Sequence, residues 1–526
     1  MNKWLCMTVA MAMTAPLFVA CGGDDEGGQT PPLAPTIVLK DGDIKATHEI
    51  KPGMSVVVNV AAPGGVADFT IRIDSPFLTP EELSALGLAA EMNLVTPATS
   101  QMAAGLKGLG FPVGDDVKGK TALTFNISSL IPMIAQLYDQ TSDHDFTLTV
   151  TDAKAQRTTE TLKFHLSGPQ TITYNNDADL WANTATLTVK NQPEGTKVQY
   201  RVKDAEAWTD AVSADGTVFN IAPVYEASKN EAELDIYTIK AGTGIFAATT
   251  YEYRMLDGEK VLDSGEFTTA AGDKIPNGDM SGWSKKQMTT DNTMFFPITY
   301  PNAEGQNFWD SGNNMFLEQY DDETGEPTIN TPLCSEADGA AHLKAQMVLG
   351  FVFAPGNMFT GQFVYTGLNG TVGFGQPYTW TARPRALKVR YKAQIGKIDK
   401  VGSNDPDGAA YKDKQDRSCI FMAVVDWKAQ HGVTSGMDAP TGMWNPSETT
   451  SLTEGPILGY GQQIITETTN GWVELTIPFA WYDKAVANPS GSAFSLVISC
   501  ATSVRGDYLT GCSTNEMQVD DFEWVY

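Results

Sequence analysis

The chain has 526 residues, with 63 acidic side chains against 36 basic ones and a formal net charge of −27. No Lys/Arg cluster is dense enough to form a basic face, which argues against nucleic acid as a partner. Hydrophobic residues at 42% and aromatics at 10% describe a folded chain, not a disordered or collagenous one, and the length suggests about three domains.

Residues 1–20 read as an export signal: Lys3 supplies a positive start, an apolar stretch begins at Trp4, and small residues precede Cys21. Phe18-Val19-Ala20-Cys21 resembles a lipobox, which implies a lipoprotein signal peptide and lipidation of Cys21. Residues 21–36 form a flexible acidic tether, Gly-rich and without apolar content to fold. The acidic run after Cys21 resembles the surface-export signal of lipoproteins from Gram-negative anaerobes. The expectation is a protein of the outer membrane, exposed at the cell surface and held there by its lipid alone.

Residues 37–167 alternate apolar and polar side chains at strand spacing, as at Val56, Val58 and Val60, or Phe69, Ile71 and Ile73. Thr79-Pro80-Glu81-Glu82 places a capping Thr, a first-turn Pro and an acid at the reciprocal position ahead of Leu83, which predicts a helix start. A second short helix is predicted over 128–140. The region reads as an immunoglobulin-like sandwich with helical inserts. Residues 168–272 give a second run of short strands and look like a fibronectin type III-like spacer. Trp181 and Trp208 read there as core or edge packing. Residues 273–526 are β-rich, of a size that suits one jelly-roll sandwich. The predicted fold class is therefore all-β, two immunoglobulin-like sandwiches followed by a jelly roll.

The third region carries ordered blocks. Asn277-Gly278-Asp279-Met280-Ser281-Gly282-Trp283 opens it, and Phe308-Trp309-Asp310-Ser311-Gly312-Asn313 follows. Ala354-Pro355-Gly356-Asn357, Arg383-Pro384-Arg385-Ala386-Leu387 and Tyr391-Lys392 come next, and Arg505-Gly506-Asp507-Tyr508 with Val519-Asp520-Asp521-Phe522-Glu523 closes it. In this order the blocks resemble the putative carbohydrate metabolism domain (PCMD) family of bacterial outer-membrane lipoproteins. The resemblance implies a jelly roll like a carbohydrate-binding module, associated with glycan handling.

Aromatic faces stack on pyranose rings while Asn, Asp, Arg and Lys bond the hydroxyls. The ligand candidates are accordingly Trp309, Asp310, Asn313, Trp380, Arg383, Lys392 and Trp427. Trp309 leads, because an aromatic in a Gly- and Asn-rich loop needs a reason to be there. Asn277 and Asp279 at the start, with Asp520 and Asp521 at the end, would supply oxygen ligands for a structural Ca²⁺ if the ends of the region adjoin. No other cofactor is implied. Catalytic signals are weak: the five His are scattered and neither H-E-x-x-H nor G-x-S-x-G occurs. A glycosidase needs only two opposed carboxylates, for which Asp310 with Glu318 is the forced choice. Cys500 and Cys512 flank one loop and are the disulfide candidate, though Cys334 and Cys419 leave other pairings, or none, open.

The leading expectation is a surface lipoprotein that binds a poly- or oligosaccharide through the jelly roll as part of carbohydrate acquisition, alongside outer-membrane glycan-uptake proteins. A glycoside hydrolase on the same fold and a structural or adhesive surface protein are the alternatives.

Overall fold

The computed structural model describes residues 33–526 apart from 52, 132–133, 135–139, 290–294, 316–318, 321–326, 329–331, 349, 367–368 and 490–493. Cys21 with its signal and most of the tether, Glu318, and most of the helix predicted over 128–140 lie outside the described residues. The architecture is all-β, with helix confined to short pieces among the described residues. It divides into two compact units, the first ending at Pro169 and the second running from Gln170 to Tyr526. No helix among the described residues is long and apolar enough to cross a membrane.

In the first unit a three-stranded sheet holds Thr36–Leu39, Val57–Ala61 and Ala122–Asn126. A five-stranded sheet runs in the order Thr47–Glu49, Arg157–Leu166, Ser142–Asp152, Val66–Asp74 and Glu91–Asn93. Alternation at period two sends Phe69, Ile71, Phe146, Leu148 and Phe164 into one core with Val58 and Val60. The helix Pro80–Ala85 begins as the sequence predicts: Thr79 Oγ1 accepts from the Glu82 amide at 3.4 Å, Pro80 takes the first turn, and Leu83 is buried. A second helix, Ser100–Gly108, was not foreseen. Thr99 caps it by accepting from Met102 N at 3.0 Å, and Met102 and Leu106, four residues apart, are its buried side.

The second unit opens with two four-stranded sheets. One contains Val212–Ser213, Val218–Ile221, Ala185–Lys190 and Thr171–Tyr174; the other contains Thr209–Asp210, Lys197–Val202, Thr250–Asp257 and Lys260–Thr268. Leu187, Val189, Tyr200, Tyr251, Met255 and Phe267 fill the space between them. A hairpin, Tyr225–Lys229 with Asp235–Ile239, leaves this sandwich and pairs through Tyr237 opposite Trp481 with the strand Ala480–Trp481. From there one continuous sheet proceeds through Gly455–Ile465, Ser418–Trp427, Phe494–Ala501, Asn357–Thr366, Asn369–Phe374 and His431–Ser435.

Facing this large sheet is a five-stranded one, in the order Cys334–Ala337, Ala340–Lys344, Glu516–Val525, Ala386–Gln394 and Val473–Pro478. Ile420, Met422, Val424 and Ile498 from the large sheet meet Leu387, Val389, Met517 and Val519 from the other. Trp181, from the first sandwich of this unit, is buried in the same core and donates Nε1–H to the Val486 carbonyl at 3.0 Å. The start and end of the C-terminal sandwich adjoin: Phe522 N donates to Gly278 O at 2.7 Å, and a Cβ on Gly278 would lie 2.4 Å from the Phe522 carbonyl oxygen.

Candidate functional site

The strand Ser418–Trp427 is apolar on both faces. Ile420, Met422 and Val424 point into the core between the sheets, which sends Cys419, Phe421, Ala423 and Val425 to the opposite face. Register puts Gln462 on one side of Phe421 and Ser499 on the other, with Phe359 beyond Ser499. The segment 436–450 returns across this face and lays Trp444 edge-on to Phe421 (centroids 5.6 Å apart), Phe374 (5.9 Å) and Trp427 (5.3 Å).

A cleft of about 450 Å³ results, within the usual range for small-ligand sites. Partly buried Phe374, Phe421 and Trp444 give it an aromatic floor, and Arg417, Gln462 and Ser499 stand along it. Arg417 is exposed, and its guanidinium makes no hydrogen bond or ion pair among the described residues. Asn445 is committed to its own turn: Oδ1 accepts from Ser447 N (3.0 Å) and Ser447 Oγ (2.9 Å), and Nδ2 donates to Glu448 Oε1 (2.9 Å).

At the far end Arg505 is paired with Asp405 and lies 3.5 Å from Asp407. Its guanidinium sits 4.4 Å from the Tyr411 ring centre and 5.0 Å from that of Tyr508. The hydrogen bond to Asp405 holds it firmly charged. Beside it Asp507 accepts from Ser435 Oγ at 2.8 Å, and burial pushes its carboxyl above the ordinary range in spite of that bond. Arg505 and Asp507 are thus both engaged with their own fold. Asp507 and Glu448 both line the cleft.

The residues singled out from the sequence lie elsewhere, and most are structural. Trp309 is fully buried: its indole donates to Pro276 O at 2.8 Å and packs 5.2 Å from Phe522. The polar loop that suggested exposure is an internal clamp. Asn302 accepts from Phe308 N and Trp309 N, and donates to Trp309 O. Asn313 forms both bonds of a strand-like pair with Cys334, donating to its carbonyl and accepting from its amide. Asp310 accepts from Ser311 N and, with its other oxygen, from Phe363 N. Buried and so held, Asp310 has no geometry for general acid–base work, which corrects the forced choice.

Trp380 is buried among Trp181, Tyr378 and Trp524, and Trp427 is buried under Trp444. Arg383 is a buried cation 4.4 Å from the centre of the Trp481 ring, donating to Tyr225 Oη at 3.0 Å. Lys392 is exposed, but it belongs to the five-stranded sheet and not to the face with the cleft. None of these seven lines the cleft.

The proposed cation ligands also need correction. The ends of the region do meet, yet Asp520 and Asp521 are both paired with Arg390, the latter at 3.0 Å. Asn277 uses its amide on Gly282 and Pro301, and Asp279 accepts from Ser281. A guanidinium stands where the charge of Ca²⁺ would be needed, so these residues do not fit that ion. No group of three or more His, Cys, Asp or Glu able to hold a metal occurs among the described residues. Cys500 and Cys512 are not joined. All four described cysteines are free and buried, Cys500 in the inter-sheet core and Cys512 with its sulfur 3.3 Å from Thr514 Oγ1.

The cleft residues escaped the sequence reading because Trp444 lies in a segment with no strand period. The usable signals were the apolar outer face of Ser418–Trp427, which must be covered, and an aromatic set beside the Asn445-Pro446 turn.

No curated protein matches the chain. A crystal structure of a putative glycoside hydrolase from Bacteroides vulgatus is similar at 16% identity, covering 46% of this chain and 94% of that one, with a TM-score of 0.31. One from Bacteroides thetaiotaomicron is similar at 12% identity over 64% and 98%, with a TM-score of 0.28. The Bacteroides ovatus protein SGBP-B of a mixed-linkage glucan utilization locus, in complex with a heptasaccharide, is similar at 10% identity over 92% and 99%, with a TM-score of 0.12. These scores are too low to assign the fold, which stands on the strand order above. Residues 283–525, which hold every residue lining the cleft, match the model of the family described as Putative carbohydrate metabolism domain.

Proposed function

We propose that the protein binds glycan in the cleft between the large sheet and the 436–450 segment. The observation that carries this reading is an aromatic floor of Phe374, Phe421 and Trp444 beside an uncommitted guanidinium, Arg417, and the amide of Gln462. Apolar ring faces and hydroxyl-bonding groups side by side are what a sugar requires. The family description, which names carbohydrate metabolism, supports the same ligand class. The lipobox-like Phe18-Val19-Ala20-Cys21 supports a lipid anchor in the outer membrane, which would present the cleft at the cell surface.

A glycan array with the chain lacking its signal, followed by titration of the hits, tests the proposal. Trp444→Ala is expected to weaken binding at least tenfold in protein shown by circular dichroism to be folded, with a modest fall in its unfolding midpoint because the ring also covers Trp427. A silent array, or unchanged affinity in the variant, would sink it. A hydrolytic reading has one specific support: Asp507, whose carboxyl burial raises above the ordinary range, lines the same cleft as a second acidic side chain, Glu448, and glycoside cleavage uses two carboxyl groups. Release of reducing ends from a bound glycan, abolished in Asp507→Asn, would establish it.

A further inference from the structure

The wall of the cleft is not built by the C-terminal sandwich alone. The strap 444–448 carries Trp444, Asn445 and Glu448, and it is fastened from behind at two main-chain carbonyls. Tyr482 Oη donates to Pro446 O. Asn230 Nδ2 donates to Ser447 O at 2.7 Å and to Tyr460 Oη at 3.0 Å. Tyr460 and Tyr482 stack with ring centroids 5.5 Å apart, which ties the two fastenings together.

Asn230 belongs to the other sandwich of the unit, where it begins the turn of the hairpin Tyr225–Lys229 with Asp235–Ile239. Its Oδ1 accepts from Ala232 N and Leu234 N, both at 3.0 Å, so one amide closes its own turn and clasps the strap with no capacity left over. A second contact points the same way. Ile236 of this hairpin packs against the cluster of Ala423, Val425, Trp427 and Tyr460, to which Phe421 and Trp444 also belong. The hairpin extends the sheet that floors the cleft, through Tyr237 opposite Trp481.

We infer that the segment 170–272 is a positioning element of the cleft and that Asn230 is its positioning residue, acting through the Ser447 carbonyl to hold Trp444 at the floor. This inference rests on the glycan reading for its consequence in binding, but not for its mechanical part. Two variants in the chain lacking its signal test it. Asn230→Ala removes both donated bonds and, with them, the two accepted bonds that close its own turn; Tyr460→Phe removes one hydroxyl and keeps the ring stack. Hydrogen exchange at the 444–448 amides is read without any glycan, beside affinity for whatever glycan the array returns.

The expected result is faster exchange across 444–448 in Asn230→Ala and a smaller rise in Tyr460→Phe. Affinity should fall about tenfold in Asn230→Ala, which loses the strap bond and its own turn closure, and by less in Tyr460→Phe, which leaves the bond to the Ser447 carbonyl in place. A purely structural role would instead shift the global unfolding midpoint and speed exchange throughout the unit. Unchanged exchange at 444–448 in both variants overturns the inference, as does unchanged affinity in Asn230→Ala when Trp444→Ala has lost binding. If wild-type protein binds no glycan, the proposed function fails by itself, and the exchange data still decide whether the hairpin positions the strap.

Discussion

Trp309→Ala separates a ligand platform from a core residue. The indole is fully buried, donates to the Pro276 carbonyl at 2.8 Å, and fills the space beside Phe308 and Phe522 where the start and end of the C-terminal sandwich meet. Truncating a buried Trp to Ala costs about 3–5 kcal/mol, and leaving the carbonyl without its donor adds roughly 1–3 kcal/mol. A loss of about 4–8 kcal/mol is a large share of a domain's total of roughly 5–15 kcal/mol. Trp309→Phe keeps an aromatic ring and should lose about half as much.

Urea unfolding followed by circular dichroism, with glycan titration of the folded protein, measures both consequences. The expected outcome is a strongly lowered midpoint for the alanine variant, an intermediate one for phenylalanine, and ordinary affinity in whatever fraction stays folded. An alanine variant of undiminished stability that had lost glycan binding would refute the structural assignment and return Trp309 to the ligand.

Three further outcomes are expected. Asp507 has a carboxyl raised by burial, so the folded state resists its ionisation: stability is present below the unfolded value and falls as pH rises towards the folded one. Asp507→Asn, which keeps the acceptor for Ser435, should therefore raise the urea midpoint at pH 7 and leave it unchanged at pH 3. His144 is the opposite case. Fully buried between Ser75 Oγ (2.7 Å) and Ser142 Oγ (2.8 Å), it is lowered by desolvation despite Asp143 and Asp145, so its contribution is present above the unfolded value near 6.5 and lost as pH falls through the folded one. Native-state hydrogen exchange should show the first unit loosening as pH falls below 6.5, with His144→Gln reducing that dependence. Cys334, Cys419, Cys500 and Cys512 should resist a thiol reagent in native protein and all react in urea without prior reduction; a requirement for reductant would show a disulfide.

Strand placement was largely legible, because period-two alternation is enforced by burial: Phe69, Ile71 and Ile73 face a core in the structure as in the pattern. The capping Thr79 was legible for a local reason, since a side chain three residues from its partner amide needs no tertiary knowledge. The site was not. Polar side chains in a loop look the same in sequence whether they await a ligand or satisfy their own backbone. Asn302, Asp310 and Asn313 do the latter. Asp520 and Asp521 had the right oxygens in the right place, but Arg390 reaches them from the neighbouring strand through a register no composition reveals. Trp444 lies seventy residues from Phe374, and only their meeting across the sheet makes a floor.

The burial of Trp181 among Trp380 and Trp481 bears on how the chain can be cut. A fragment trimmed to the family match would lose the indole from the inter-sheet core and its bond to the Val486 carbonyl, and would bare the edge of Ala480–Trp481 where Tyr237 had paired. An empty aromatic socket beside an unpaired strand edge is a recipe for self-association. The smallest excisable piece that keeps the cleft intact therefore begins at Gln170, and precipitation of a shorter one would report on the cut and not on the ligand.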